Sequence, residues 1–73
     1  MLVRFDSKKF LTIRKKKDYT QAQVAEGADT TVRYVREMEK GRKTNPSAAM
    51  VYRLSAALEV PMEALMTEQQ EGE

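Results

Sequence analysis

Residues 20–41 read TQAQVAEGADTTVRYVREMEKG and encode two short helices with a turn between them. The first helix is predicted to begin at Gln21, because Thr20 and Gln23 match a capping box. In that motif the threonine hydroxyl accepts a hydrogen bond from the backbone of Gln23, and the Gln23 side chain reaches back to the backbone of Thr20. The helix is expected to end near Gly27.

The second helix follows a tight turn at residues 28–30, where Asp29 tolerates a left-handed backbone. Thr31 is predicted to cap a helix over residues 31–40, and Gly41 ends it. Helical spacing turns Val35 and Met38 toward the core. The side chains expected to point outward are Val32, Arg33, Arg36, Glu37 and Lys40.

Turn signals divide the rest of the chain into three more helical segments, so we expect an all-α fold, a compact bundle of five short helices. The first begins at a cap on Asp6 or Ser7 and runs to about Lys17. The fourth begins at Asn45-Pro46, with Asn as the cap and Pro in the first helical position. A last turn follows Pro61. The apolar stripe of the fourth helix is Met50, Val51, Leu54, Ala57 and Leu58.

The domain boundaries follow from the same segments. Residues 6–66 are expected to form one domain, since 73 residues leave room for a single small core. Residues 1–5 form an apolar arm, and a strand and a docked arm both remain open for them. Residues 67–73 are expected to be a disordered acidic tail.

Composition removes whole classes of function. The chain contains no cysteine and no histidine, which excludes disulfides and thiol nucleophiles and removes the usual general base and nearly every tetrahedral zinc site. An enzyme is therefore disfavoured, and neither a metal nor a cofactor is expected. With 41% apolar and 33% charged residues, and neither a membrane-length apolar run nor a signal peptide, we expect a soluble protein of the cytoplasm.

Charge is distributed unevenly along the chain. Residues 1–43 carry twelve basic and six acidic side chains, whereas residues 44–73 carry one basic and five acidic side chains. This polarity suits a polyanion approached by the first half. A solvated surface that is simply uneven accounts for it equally well.

The helix pair suggests a use for that charge. The major groove of B-DNA accepts one helix, and a short supporting helix holds such a reader in place. Arg33 and Arg36 are three residues apart, hence side by side, where each could bind a guanine edge or a phosphate. The alternative is that Arg33 only pairs with Glu37 on a wet surface, a contact worth about 0.3–0.5 kcal/mol.

The order of residues over positions 6–66 resembles the lambda-repressor-like, Cro-type helix-turn-helix regulators, also called the XRE family. The positions that carry the resemblance are Arg14, Tyr19-Thr20-Gln21, Val24-Ala25, Val35, Met38-Glu39, Gly41, Pro46-Ser47, Val51, Leu54, Ala57-Leu58, Val60 and Leu65. The resemblance implies a transcriptional regulator that binds specific sequences of double-stranded DNA.

The resemblance also implies roles for individual residues. Arg14 and Glu39 would form a structural ion pair between the first helix and the recognition helix. The residues implied to contact bases are Thr31, Val32, Arg33, Arg36 and Glu37. The residues implied to contact phosphates are Thr20, Gln21, Lys40, Arg42, Lys43 and Thr44.

Some positions depart from the family pattern. Asp29 stands where Gly is usual and Thr30 where an apolar anchor is usual, and Val32 replaces a residue that is often Gln or Arg. Val32 could meet a thymine methyl group or serve packing alone. Asp29, Val32 and Glu37 also motivate a second hypothesis, in which the same fold is an antitoxin- or antirepressor-like adaptor that binds another protein.

A homodimer on a pseudo-palindromic site is expected, because one domain of this size contacts little DNA and two half-sites combine their contacts. The candidate interface is Met62, Met66 and residues 1–5. No small-molecule ligand is expected.

Overall fold

The computed structural model describes residues 2–42 and 45–69 of the chain. In chain order its elements are β1 (Leu2–Phe5), α1 (Ser7–Lys16), α2 (Gln21–Gly27), α3 (Val32–Glu39), α4 (Ala48–Leu58), a 3-10 turn (Met62–Leu65) and β2 (Met66–Gln69). The described residues thus contain four α-helices.

The prediction of a fifth helix is wrong, because the segment after Pro61 forms a 3-10 turn. Only four residues separate Pro61 from the extended backbone of Met66, and a segment that short closes as a 3-10 turn with an i to i+3 bond, here from Ala64 N–H to the Pro61 carbonyl at 3.0 Å.

Side-chain caps fix where each α-helix begins. The Asp6 carboxylate accepts from the Lys8 and Lys9 backbones at 3.0 and 3.1 Å, which decides between Asp6 and Ser7. The Thr20 hydroxyl accepts from Gln23 N–H at 3.0 Å, and Gln23 Oε1 accepts from Thr20 N–H at 2.8 Å. The predicted capping box is therefore confirmed.

The start of α4 lies two residues later than the sequence predicts. Ser47 is its cap and accepts from Met50 N–H at 3.1 Å, so Asn45 and Pro46 precede the helix. Asn and Ser are comparably good caps, and one lies on each side of Pro46, so the sequence did not decide between them.

All four α-helices end in the same way. Each is followed by a residue with positive φ, at Asp18 (63°), Asp29 (57°), Gly41 (81°) and Glu59 (61°). At every end two backbone N–H groups turn back to carbonyls of the last turn, as in the Schellman motif. The left-handed turn predicted at Asp29 is confirmed, with Asp29 N–H bonded to Glu26 O at 3.2 Å and Thr30 N–H to Ala25 O at 2.9 Å.

A single core joins the helices. Its fully buried large side chains come from α1, α2, α3, α4 and the 3-10 turn, and they are Phe10, Val24, Val35, Met38, Leu54, Leu58 and Leu65. At Gly27 the helices α2 and α4 approach closely, since a Cβ there would lie 2.9 Å from Ala57 Cβ.

The two ends of the chain form a small antiparallel sheet, in which Leu2 pairs with Gln69 and Phe5 with Met66. Phe5 is buried and packs on Phe10 with ring centroids 5.5 Å apart. Asp6 N–H bonds to the Leu65 carbonyl and Lys9 Nζ to the Met66 carbonyl, both at 2.8 Å. Within the segment 1–5, the described residues 2–5 therefore form a strand, the first of the two options left open.

The expected disordered tail is wrong for residues 67–69, which belong to β2. The sequence of residues 67–69 is polar and did not predict a strand, because β2 is held by backbone pairing with β1. The remainder of the predicted tail, residues 70–73, lies outside the described residues.

Candidate nucleic-acid interface

The helix α3 has one buried face and one exposed face. Val35 and Met38 are completely buried, which fixes the helix to the core. Arg33 and Arg36 are exposed, and so is Thr31, whose hydroxyl caps the helix by accepting from Tyr34 N–H at 3.0 Å. The structure therefore places two exposed arginines, three residues apart in the sequence, on the outer side of a helix whose opposite face is buried in the core.

Val32 contributes less outward surface than the sequence suggested. Its side chain is half-buried and packs against the core, as does that of Tyr34. Packing is thus part of the role of Val32.

Glu37 has a different ionic partner from the one considered in the sequence. Its Oε2 lies 3.6 Å from Nη1 of Arg42, not against Arg33. Thr31, Arg33, Tyr34 and Glu37 line a shallow depression on the surface of α3.

Three helices meet at the carboxylate of Glu39. Arg14 on α1 donates through Nε to Oε2 and through Nη2 to Oε1, the latter at 3.2 Å. Its Nη1 donates to the Tyr19 carbonyl at 2.8 Å. Gln21, the first residue of α2, donates through Nε2 to Glu39 Oε1 at 2.9 Å. This network joins the end of α3 to α1 and to the start of α2.

The contact of Gln21 with Glu39 was missed in the sequence, where Gln21 was assigned only to a phosphate. A spacing of eighteen residues between two different helices carries no local signal. One Nε2 hydrogen is taken by Glu39, which leaves the amide a second donor.

A second missed contact supports the turn between α2 and α3. Arg53 on α4 donates through Nε to the Ala28 carbonyl at 2.9 Å, which satisfies a helix-end carbonyl that the helix itself leaves open. A weak signal was available, because Arg53 is the one basic residue of positions 44–73.

The remaining expected phosphate contacts are only partly described. Thr20 is exposed and its hydroxyl serves as the cap of α2, while Lys40 is exposed at the end of α3. Lys43 and Thr44 lie outside the described residues.

The two short helices, the left-handed turn between them and the exposed arginines on the second define a helix-turn-helix protein. The family model described as helix-turn-helix (HTH_3) matches residues 11–65, and the chain belongs to this family. The resemblance to Cro-type regulators is thereby confirmed.

The chain is similar to regulators from two bacilli. It is 35% identical over 60 residues to the HTH-type transcriptional regulator SinR of Bacillus licheniformis, and equally to SinR of Bacillus subtilis strain 168. Each match covers 82% of this chain and 54% of the relative. The chain therefore spans about half the length of these curated relatives.

Solved structures share the fold. The crystal structure of SinR, the master regulator for biofilm formation, in complex with DNA is 30% identical, with a TM-score of 0.76, and the match covers 82% of this chain and 98% of that one. The restriction-modification controller protein C.AhdI from Aeromonas hydrophila is 24% identical, also with a TM-score of 0.76, over 81% of this chain and 88% of its own. The second likeness shows the fold alone.

Within residues 2–42 and 45–69, each helix is too short or too polar to cross a bilayer.

Proposed function

We propose that this chain binds specific sequences of double-stranded DNA and regulates transcription, with α3 lying in the major groove. The observation that carries the proposal is the division of α3 into a buried face at Val35 and Met38 and an exposed face at Arg33 and Arg36. A groove reader needs both properties, because it must be held rigidly and must still project its side chains.

The relatives support the same conclusion. SinR was crystallised in complex with DNA, and the matching region covers 98% of that chain. The part of this chain that matches includes the described turn and recognition helix, since the family match spans residues 11–65.

Contacts are assigned by exposure and by place in the fold. We assign base contacts to Thr31, Val32, Arg33, Arg36 and Glu37. We assign phosphate contacts to Thr20, Gln21, Lys40, Lys43 and Thr44. Arg42 was also expected to contact phosphate; because its guanidinium lies beside Glu37, we propose a different role for it below.

A homodimer on a pseudo-palindromic site is part of the proposal. Two recognition helices spaced one DNA turn apart, about 34–36 Å, read two half-sites and combine their binding energies. Met62 in the 3-10 turn and Met66 at the start of β2 are both half-buried, and they belong to the proposed contact surface. Such a protein would work in the cytoplasm, where bacterial DNA lies.

The structure weakens one of the observations that suggested a protein-binding adaptor. Glu37 was one of the acidic residues that argued against a DNA-reading face, and it lies beside a cation, Arg42.

Binding to DNA at several salt concentrations tests the proposal. The wild type is titrated by fluorescence anisotropy against DNA selected from a random pool, and its affinity is expected to fall steeply with salt as counterions are released. Replacing both Arg33 and Arg36 by Ala is expected to abolish the selected binding. The matched control is Lys8→Ala, which removes an exposed cation in the first turn of α1. Equal behaviour of the two variants, or an affinity independent of salt, would contradict the proposal and favour a protein partner.

A further inference from the structure

Arg42 is tied twice to Glu37 at the end of α3. Its backbone N–H donates to the Glu37 carbonyl at 3.0 Å, and its Nη1 lies 3.6 Å from Glu37 Oε2. The first contact is part of the C-terminal cap of α3, in which Gly41 has a left-handed backbone and its N–H donates to the Met38 carbonyl at 3.2 Å. The backbone of Arg42 is therefore fixed by the same helix that carries Glu37.

Glu37 lies on the side of α3 that the proposed function turns toward DNA. It lines the depression that includes Thr31 and Arg33, and its side chain is 24% exposed, against 65% for Arg42. A carboxylate at this place is repelled by phosphates. In free solution the exposed ion pair with Arg42 offsets little of that repulsion. When an interface with DNA excludes water, the attraction between Arg42 and Glu37 becomes stronger.

We propose that Arg42 acts through Glu37 and sets the base preference of the protein. Arg42 restrains the carboxylate so that it accepts a hydrogen bond from a base amino group at the edge of the major groove. The amino group of cytosine is the usual donor to such a carboxylate. The inference rests on the proposed function, and it makes Arg42 a positioning residue.

This role differs from the phosphate contact that the sequence led us to expect for Arg42. A phosphate contact strengthens binding to every DNA sequence and adds to the salt dependence. A restrained carboxylate favours one base pair over the others. The two roles therefore predict different patterns of binding, even though both involve the same side chain.

A double-mutant cycle separates them. The wild type, Arg42→Ala, Glu37→Gln and the double variant are each titrated against the DNA site that the wild type selects, and against versions of it with one base pair changed. Glu37→Gln is expected to reduce the preference at one base pair by on the order of 10-fold. Arg42→Ala is expected to reduce the preference at that same base pair several-fold, and to add nothing in the E37Q background.

The matched control is Lys40→Ala, which removes a neighbouring exposed cation. It is expected to weaken all sites by one common factor and to reduce the salt slope by about 1. Circular dichroism verifies folding of each variant, and Arg42→Gln replaces Arg42→Ala if the latter does not fold.

Two results overturn the inference while leaving the proposed function intact. One is that Arg42→Ala weakens selected and altered sites by the same factor in both backgrounds, as Lys40→Ala does. The other is that Glu37→Gln leaves every base preference unchanged. A wild type that selects no DNA from the pool overturns the proposed function as well.

Discussion

Arg14, in the last turn of α1, binds both carboxylate oxygens of Glu39, the last residue of α3. The two side chains are only 13% and 6% exposed. The pair therefore joins the recognition helix to the first helix in an environment with little water, where each charge depends on the other.

Removing one partner of this pair is expected to destabilise the fold. Arg14→Ala leaves the Glu39 carboxylate nearly buried without its cation, and we expect the free energy of unfolding to fall by about 3 kcal/mol. Urea denaturation followed by circular dichroism measures the change. Arg33→Ala is the control, since that side chain is exposed and should cost under about 0.5 kcal/mol. Similar losses in the two variants would show that the Arg14–Glu39 contact contributes little.

Close packing of α2 on α4 should make Gly27 intolerant of a side chain. Gly27→Ala would place a methyl group 2.9 Å from Ala57 Cβ, and we expect the overlap to cost about 1–3 kcal/mol of unfolding free energy. The change Ala57→Gly in the same chain is expected to restore part of that loss by removing the clash. Additive effects of the two substitutions would be inconsistent with this contact.

The backbone angles at two helix ends predict changes of opposite sign in thermal stability. Gly41 has φ of 81° and Glu59 has φ of 61°. A left-handed backbone costs a residue with a side chain roughly 1–2 kcal/mol, so Gly41→Ala should lower the thermal unfolding midpoint. Glu59→Gly should raise it, since relief of strain outweighs both the added chain entropy of about 0.5–1 kcal/mol and the loss of the exposed hydrogen bond that the Tyr19 hydroxyl donates to Glu59 Oε1 at 3.3 Å. Thermal melts of both variants provide the measurement, and shifts of the same sign would refute this explanation.

The N-terminal strand should matter for stability. Phe5 is 3% exposed and packs on Phe10, so Phe5→Ala should lower the unfolding free energy by about 3–5 kcal/mol. Lys8→Ala, a change at an exposed position nearby, is the control. A loss for Phe5→Ala no larger than that of the control would show that β1 does not contribute to the stability of the fold.

Features set by nearby residues could be predicted from the sequence. The capping box at Thr20 and Gln23 involves groups three residues apart, and the left-handed turn at Asp29 depends on the residue itself. The bounds of α2 and α3 followed from these signals. The positions of Arg33 and Arg36 on the outer face then followed from helical spacing.

Contacts between distant segments could not be predicted. The terminal sheet pairs Leu2 with Gln69 through backbone groups. Because every residue type carries these groups, the polar sequence of residues 67–69 did not indicate a strand. Gln21 reaches Glu39 and Arg53 reaches Ala28 only because the helices pack as they do. The resemblance to a family supplied the Arg14–Glu39 pair, which spacing alone did not.

We propose above that the exposed face of α3 contacts bases. The most direct measurement compares Arg36→Ala with the wild type on the selected DNA site and on random DNA of equal length at the same salt concentration. We predict a loss of about 1–3 kcal/mol in binding free energy on the selected site, relaxed preference at one base pair, and a much smaller loss on random DNA. An equal loss on both DNAs would reduce Arg36 to a phosphate contact, and no loss on either would place the recognition surface elsewhere.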